Sequence, residues 1–416
     1  MKPAQLYAAQ LSEIQSRVDV PEGVIAELRK KFSVQDDEKL RLSYLSIADD
    51  VARVQKLWVN RETDYAAVRQ SHSALFFELV EKLDAQGVLF SLADTAALEG
   101  QRVRVEKLTR YTTSGYYEDR KCLTDMIARL DRFKPHAVVI SQSLPGWVFN
   151  EISRRYPALL YMASRFWLDD ESHARGIAGL KHFVGVQRKR RSLHHCKGVI
   201  GGVEAVKPEA ELLMGKGIPF EVEIPQFFPL PANRERPQAR RILAFGPISR
   251  QSDIHDLVGA IPDLRKAYDD LELTISGYGP AADAMKEQTK ASAGITFAGQ
   301  LEYVEFVKEL ELADLCVIFE GGARLAPELR GLAAPLAGVP LLRHAQTPIL
   351  DELRPKTLVY SGDAKDGLVN AVRRLVEDDA LYQAALAGLP AADASFRDPS
   401  QSWGSAVLRL LLNMQV

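Results

Sequence analysis

The stretch RILAFGPISR, residues 241–250, decides how the second half of the chain folds. An apolar run of this length without polar alternation is typical of a strand buried on both faces, and the Gly-Pro pair ends that strand in a turn. The helical pattern HDLVGAIPDLRKAYDD (255–270) and a second apolar run, LELTISGYG (271–279), follow it. Strand, helix and strand in this order predict a right-handed crossover between two parallel strands.

The same alternation of short apolar runs and helical patterns extends over most of the chain. Further candidate strands lie at 40–47, 87–93, 103–108, 137–141, 158–163, 198–202, 220–224, 294–299, 314–322, 339–344 and 357–362. Each half therefore predicts a doubly wound parallel sheet, so we expect an α/β protein with two Rossmann-like domains. Because ligands bind such sheets beyond the carboxyl ends of the strands, we expect the two domains to face each other across a cleft.

A proline-rich segment separates the two alternations. Residues 226–240 contain three prolines and a charged tail, which neither a helix nor a central strand accommodates, so we expect a linker there. It would join a first domain at 37–225 to a second domain at 241–398. Apolar residues at helical spacing predict a helical extension at 1–36 and a C-terminal helix at 399–416 that packs back onto the first domain.

Composition and charge exclude several classes of protein. With 416 residues, 46% of them hydrophobic and 26% charged, the chain is an ordinary globular protein rather than a disordered one. Its net charge of −2 gives no overall attraction to nucleic acid. Three scattered cysteines indicate a reducing compartment. No apolar run reaches the ~20 residues of a membrane span and the first residues lack a secretory signal, so we expect a cytoplasmic protein.

Glycines follow three of the candidate strands in the second half. They stand in FGPISR (245–250), SGYGP (276–280) and FEGGARLAPE (319–328). A glycine lets the backbone approach a ligand closely, and the helix after each loop directs its free amide groups at an anion. The sequence therefore predicts a phosphate-bearing ligand at this edge of the second sheet.

Five segments of the second half, taken in order, resemble the donor-nucleotide domain of the GT-B glycosyltransferases, in particular the retaining group called family 4. They are LAFGPIS (243–249), LELTISGYGP (271–280), ITFAGQLEYVEFVKELELADLCVIF (295–319), FEGGARLAPE (319–328) and AGVPLL (337–342). The first half resembles the family only in outline, as an acceptor-type domain. The resemblance implies the GT-B fold and transfer of a sugar, with retention, from a nucleoside diphosphate sugar to a glycan, glycolipid or protein acceptor.

Two glutamates carry the most diagnostic match to this family. Glu320 and Glu328 are separated by seven residues, as the family's pair is at the turn that meets the donor. The resemblance implies that Glu320 is catalytic and accepts hydrogen bonds from sugar hydroxyls, while Glu328 holds the ribose hydroxyls. The backbone amides of Gly321 and Gly322 would then reach the diphosphate.

The register of this glutamate pair has an alternative. In the family the second glutamate lies five residues before a later glycine, whereas Glu328 precedes Gly338 by ten. Counting back from Gly338 places Leu325 and Ala333 at the two positions instead. Either the chain has an insertion in this segment or the glutamate match is accidental, and the sequence leaves both hypotheses open.

The remaining donor-binding candidates lie in the same loops. The family's basic pair, which neutralises the leaving diphosphate, is replaced here by Pro247 and Ser252. Arg250 is the nearest substitute, and Arg324 or Arg330 could serve from the third loop, because a guanidinium suits phosphate oxygens. For each arginine the alternative is a surface residue without a ligand. The resemblance also implies donor contacts from Gly246, Ser249, Gly277 and Gly279.

The first half supplies one catalytic candidate. Where the family commonly has a histidine after the fifth strand, this sequence has YMASRFWLDD (161–170). Asp169 or Asp170 could act as an acid/base or bind a sugar hydroxyl, and the alternative is that this pair of acids caps a helix. His194 and His195 beside Cys196 lack the spacing of metal ligands, so we predict sugar transfer without a metal and without a cofactor.

Two other functions compete with this one. SGYGPAADA (276–284) fits the Gly-x-Gly-x-x-Ala fingerprint of a nicotinamide enzyme, but the acidic residue expected ~20 positions later is missing. With Pro247 and Ser252 in place of the basic pair, the chain could also be a catalytically degenerate GT-B protein that binds a sugar or a partner without turnover. The degenerate protein is the stronger of these two alternatives.

The stretch KHFVGVQRKRRSLHHCKG (181–198) concentrates Lys, Arg and His in a helical pattern. Such a helix can lie on an anionic membrane, which would suit a lipid-linked acceptor, and the alternative is a solvated helix. No aromatic stacking positions interleave with these charges, so we expect no nucleic acid partner. The membrane alternative would place the protein at the inner face of the membrane as a peripheral protein.

Overall fold

A computed structural model gives the structure of the chain in two compact units. It describes residues 18–46, 72–91, 102–109, 119–163, 176–224, 235–250, 252–290, 292–301, 303–319, 329–345, 347, 349, 353, 357–361, 367–389 and 398–415. Residues 1–226 together with 396–416 form the first unit, and residues 227–395 form the second unit.

The first unit is built on a parallel sheet of seven strands. The strands are β1 (Arg41–Leu45), β2 (Gln86–Ser91), β3 (Val103–Lys107), β4 (Ala137–Ser141), β5 (Ala158–Met162), β6 (Gly198–Gly201) and β7 (Phe220–Val222). The helices are α1 (Val24–Lys31), α2 (His72–Lys82), α3 (Arg120–Phe133), α4 (Gly146–Ser153), α5 (Gly176–Leu193), α6 (Lys207–Met214) and the C-terminal helix (Trp403–Asn413). The order β3-β2-β1-β4-β5-β6-β7 makes it doubly wound, with its switch point between β1 and β4.

Apolar sequence explains why the central strands form. Every residue of β4 (AVVIS) and of β5 (ALLYM) is buried, as expected of strands covered by helices on both faces. The helix before β4 begins at Asp119, whose carboxylate accepts a hydrogen bond from the Cys122 amide at 3.0 Å. It ends at Lys134, which adopts φ 52. A capped start and a left-handed end therefore set the length of α3.

The C-terminal helix belongs to the first unit, where it packs on α1, α2, β6 and β7. Ser402 caps it by accepting from the Ser405 amide at 3.2 Å. The Ser405 hydroxyl in turn accepts from the Asp19 amide at 2.9 Å. Trp403 is 1% exposed and meets the Tyr44 ring edge-on at 5.2 Å. The end of the chain thus completes the core over the first sheet.

The second unit is built on a parallel sheet of six strands. The strands are β8 (Arg241–Pro247), β9 (Glu272–Tyr278), β10 (Ile295–Gly299), β11 (Leu315–Ile318), β12 (Leu341–His344) and β13 (Leu358–Tyr360). The helices are α7 (Ile254–Leu264), α8 (Ala282–Thr289), α9 (Tyr303–Leu312), α10 (Leu329–Leu336), α11 (Leu368–Glu377) and α12 (Asp379–Ala387). The strand order is β10-β9-β8-β11-β12-β13.

This order places side by side the strand ends from which the predicted ligand loops start. The chain reverses direction across the sheet between β8 and β11, so their carboxyl ends flank the switch point. Phe245 pairs with Ile318 at that end, and the next amide, Phe319, donates to the Phe245 carbonyl at 3.3 Å. The loops that follow β8 and β11 therefore start next to each other.

The predicted fold class is confirmed, because each half forms a doubly wound parallel sheet. The candidate strand at 137–141 coincides with β4, and the others agree within a few residues. One helical interpretation is wrong at its end: the basic stretch 181–198 is helical only to Leu193. His194 and His195 follow α5 because the chain turns there into the buried strand β6.

The three cysteines provide a test of the core. Cys122, Cys196 and Cys316 form no disulfide, and all three are buried. Burial raises the pKa of the Cys196 thiol to about 12 and also raises the pKa of the Cys316 thiol. Since the thiolate is the nucleophile, we expect no reaction of the native protein with a disulfide reagent and three reacting thiols after unfolding in denaturant. A thiol that reacts in the native protein at the rate of an exposed cysteine would contradict the burial of these side chains.

Candidate functional site

The turn after β8 is closed by its own side chains. The Ser252 hydroxyl accepts from the Ser249 amide at 2.9 Å and donates to the Pro247 carbonyl at 3.1 Å. His255 Nε2 lies 2.8 Å from the Ser249 carbonyl and fixes the turn from α7. Arg250 is exposed in this turn. The candidates Ser249 and Arg250 thus lie on a rigid turn directly after the strand end.

Two backbone hydrogen bonds join this turn to the one after β9. The Ile248 amide donates to the Tyr278 carbonyl at 2.7 Å, and the Ala281 amide donates to the Ile248 carbonyl at 3.1 Å. Ala281 immediately precedes α8. The two glycine-containing loops therefore form one surface rather than two independent ones.

The candidate glycines are required by this packing. A Cβ on Gly246 would lie 2.6 Å from the Phe319 carbonyl oxygen, and one on Gly277 would lie 2.5 Å from the Gly246 carbonyl oxygen. A Cβ on Gly279 would collide with the Ile248 carbonyl oxygen. Gly246 and Gly279 also have φ of 157 and 139, which L residues rarely adopt. The space gained by these glycines is thus filled by neighbouring backbone, and their contact with a donor stays a prediction.

Arg343, near the end of β12, organises the backbone on the β12 side of this sheet edge. Its side chain is buried, and Nε donates to the Thr357 hydroxyl at 2.9 Å. Its terminal nitrogen donates to the Thr347 carbonyl at 3.1 Å and to the His344 carbonyl at 3.2 Å. Sequence reasoning did not single out Arg343, although an arginine inside the apolar run VPLLRH was a signal. A buried guanidinium shapes the loop after β12 and brings positive charge to this edge.

Seven of the candidates lie outside the described residues. Five belong to the segment 320–328, which follows β11 and precedes α10 directly. The other two belong to the segment 164–175. Ala333, the second position of the alternative glutamate register, is fully buried inside α10. The seven candidates are Glu320, Gly321, Gly322, Arg324, Glu328, Asp169 and Asp170.

A polar cluster at the carboxyl edge of the first sheet was not found from the sequence. The Tyr161 hydroxyl, on β5, donates to Glu223 Oε1 at 2.6 Å, and His72 Nε2 lies 3.0 Å from Glu223 Oε2. The His72 ring packs on the Tyr161 ring at 4.3 Å and on Trp403 at 5.4 Å. The members are far apart in sequence, so no local pattern signals them. The cluster fastens the start of α2 and the end of β7 to the C-terminal helix.

We expect Tyr161→Phe to lower the free energy of unfolding by about 2 kcal/mol, because it leaves the buried Glu223 carboxylate with one fewer donor. Burial, and then the charge of Glu223, raise the pKa of the Tyr161 hydroxyl well above 10. The native state therefore keeps the hydroxyl neutral, and its contribution is present below pH 10 and lost as pH rises further. Denaturant unfolding at neutral and alkaline pH measures both effects. The control Tyr278→Phe changes a ring that is 53% exposed, and an equal loss in this variant would contradict the assignment.

Within the described residues, no group of three or more His, Cys, Asp or Glu side chains is arranged to hold a metal ion. No described helix has the length and apolar character needed to cross a bilayer.

Comparison with known proteins places the match in the second unit. Residues 239–378 match the family model described as glycosyl transferases group 1. The glycogen synthase of Mycobacterium tuberculosis is 28% identical over 162 residues, which are 38% of this chain and 38% of that protein. The match therefore spans well under half the length of this curated relative.

Solved structures extend the likeness to both units. A sucrose-phosphate synthase from Thermosynechococcus elongatus has a TM-score of 0.61 at 16% identity, covering 89% of this chain and 97% of that one. HepE from Anabaena, solved in complex with UDP and glucose, has a TM-score of 0.56 at 14% identity with the same two coverages. WaaG, a glycosyltransferase involved in lipopolysaccharide biosynthesis, has a TM-score of 0.57 at 11% identity, covering 85% and 95%. The chain thus has the GT-B fold and resembles the glycosyltransferases that share it.

Proposed function

We propose that this protein is a glycosyltransferase that moves a hexose-type sugar from a nucleoside diphosphate sugar to a glycan, glycolipid or protein acceptor. One observation carries the proposal: the glycosyl transferases group 1 match, residues 239–378, runs from β8 through α11. It covers the strand ends where the turns after β8 and β9 are bonded together beside the end of β11. A nucleoside diphosphate bound there would meet loop amides and helix starts.

The chemistry of transfer assigns roles to the candidate residues. Negative charge grows on the leaving diphosphate while positive character grows on the anomeric carbon, so the site needs donors near one and oxygens near the other. In the proposed mechanism Arg250 and Arg324 neutralise the diphosphate together with the amides of Gly321 and Gly322. Glu320 accepts from the sugar hydroxyls beside the anomeric carbon.

Further positions complete the proposed donor site. Glu328 would hold the ribose hydroxyls, and the burial of Ala333 supports placing the pair at Glu320 and Glu328 rather than in the alternative register. Asp169 is proposed to contact the sugar or its acceptor from the first unit. We propose retention of configuration and independence of metal ions and cofactors.

A catalytically degenerate protein is the second candidate, and one observation favours it. Ser252 stands where the family has a lysine, and it is 3% exposed with its hydroxyl bonded inside the turn. Pro247, at the arginine position, carries no charge. The turn after β8 therefore lacks the family's basic pair, and Arg250, together with Arg324 from the third loop, would have to replace it.

Incubation with a panel of nucleotide sugars separates the two candidates. Release of nucleoside diphosphate, unchanged by a chelator, supports a metal-independent transferase. A rise in melting temperature without release supports the degenerate protein. Loss of release with a chelator and its return with manganese would contradict metal independence, and neither binding nor release with any donor would contradict both candidates.

We further propose that the protein works in the cytoplasm and contacts the inner face of a membrane through residues 181–198. Helix α5 carries the basic part of this stretch, and Val184 on α5 and Leu212 on α6 are exposed aliphatic side chains at 57% and 45%. Basic side chains beside exposed aliphatic ones suit an interfacial position on anionic lipid. Such a contact would bring the protein to a lipid-linked acceptor.

A further inference from the structure

One described groove of the first unit is lined by residues of α4, α5 and α6 and of the turns at their ends. Its volume is about 1420 Å³. Helix α4 approaches α5 closely at Gly146, where a Cβ would lie 2.9 Å from the Ser192 hydroxyl. Nothing in the donor chemistry uses this groove, because its walls are helix faces and not the glycine loops of the second unit.

The groove is strongly basic. Its described lining contains five Lys or Arg side chains and two His, and no Asp or Glu. Single-sign charge in a concave surface focuses the field and attracts an anion of opposite sign. The cationic lining residues are Arg154, Arg188, Lys189, Arg190 and Arg191, with His194 and His195 beyond the end of α5.

Three of these cations have no ion pair within the described part of the chain: Arg154, Arg188 and Arg191. All three are exposed. Arg190 differs, because its Nε donates to the Leu212 carbonyl at 2.7 Å and so ties α5 to α6. The three exposed guanidinium groups are therefore available for an external anion, and guanidinium groups pair well with phosphate.

Apolar side chains stand on the same groove. Val184 and Leu212 both line it and both are among the exposed large hydrophobic residues. A soluble phosphate compound offers nothing to these two side chains, whereas a lipid layer offers both phosphate and an apolar interior. The combination therefore favours a membrane surface as the occupant.

We infer that the α4–α5–α6 groove binds the phosphate headgroups of an anionic bilayer, with Arg154, Arg188 and Arg191 on the phosphates and the two aliphatic side chains inserted among the lipids. This inference rests on the proposed membrane contact and deepens it by naming the residues and the lipid chemistry. The membrane contact then lies in a groove formed by three helices and not on the surface of α5 alone.

Vesicle flotation of the full chain tests whether the groove binds anionic lipid. The variant R188E/R191E is compared with the control variant K286E/K308E. The control pair lies on α8 and α9 of the second unit, is exposed, and changes the net charge equally. Each basic residue near an anionic surface contributes about fivefold to binding. We therefore expect R188E/R191E to weaken partitioning onto anionic vesicles by about 25-fold or more, the control to bind like the wild type, and zwitterionic vesicles to bind neither.

Several results would overturn the inference. They are wild-type flotation that survives R188E/R191E, equal flotation on zwitterionic vesicles, or no flotation at all. A rise in melting temperature with inorganic phosphate but no vesicle binding would assign the groove to a free phosphate compound instead. R188Q/R191Q, with a melting temperature compared with the wild type, separates lost binding from lost folding. Release of nucleoside diphosphate in solution does not involve this groove, so failure here and failure of the proposed activity are distinct outcomes.

Discussion

Glu320→Gln is expected to lower the rate of sugar transfer by about 10²–10³ while leaving the melting temperature unchanged. The substitution keeps the size of the side chain but removes the charge proposed to stabilise the anomeric carbon and to accept from the sugar hydroxyls. Glu328→Gln is expected to act differently, because a ribose contact is made in the ground state as well: it should raise KM for the donor more than it lowers kcat. Steady-state kinetics on the best donor of the panel measures both.

Glu311→Gln is the matched control for these two variants. It makes the same chemical change on α9, in the second unit but on a helix and not at a strand end. Kinetics of this variant should equal those of the wild type. Full activity of both Glu320→Gln and Glu328→Gln would show that the glutamate match is accidental. It would favour the alternative register, in which Leu325 and Ala333 occupy the two positions.

Gly279→Ala is expected to lower the free energy of unfolding of the second unit by about 4 kcal/mol. Two effects combine: the new Cβ meets the Ile248 carbonyl, and φ of 139 is unfavourable for alanine. That carbonyl accepts from the Ala281 amide, so relief of the clash breaks the bond that joins the turns after β8 and β9. We therefore expect donor binding to weaken even under conditions where the variant is folded.

Gly259→Ala provides the contrast within the same unit. Gly259 lies inside α7, and a Cβ added to it would have no neighbouring atom within 4 Å. Alanine is the better helix former by about 1 kcal/mol, so this variant should be slightly more stable than the wild type and bind donor equally. Denaturant unfolding followed by donor titration checks both variants. Equal stability of Gly279→Ala and Gly259→Ala would contradict the packing of the two turns.

The parallel sheets could be predicted from sequence because their strands are continuous apolar runs. AVVIS at 137–141 has no polar alternation, and the structure buries it on both faces as β4. Helix α4, Gly146–Ser153, was not singled out, because eight residues after a Pro-Gly pair give too short a pattern. The end of α5 was missed because basic residues continue past Leu193 although the helix stops there.

The candidate site could be predicted only in part from the sequence. Strand-end glycines predict a ligand at the carboxyl edge of the second sheet, but their spacing could not show that the carbonyls of Phe319 and Ile248 would fill the space that the glycines leave. The bonds between Tyr161, Glu223 and His72 join residues from distant parts of the chain. Such contacts depend on which strands lie side by side, and no local pattern encodes them.

Hydrogen–deuterium exchange of the full chain, with and without a saturating nucleoside diphosphate, tests the central proposal most directly. If the carboxyl edge of the second sheet holds the donor, amides should gain protection in the turns at 246–250 and 277–281 and in the segment 319–328. The peptides of α11 and α12, which form no part of the proposed site, should exchange as before. If the nucleoside diphosphate binds and none of these three segments gains protection, the proposed donor site is contradicted.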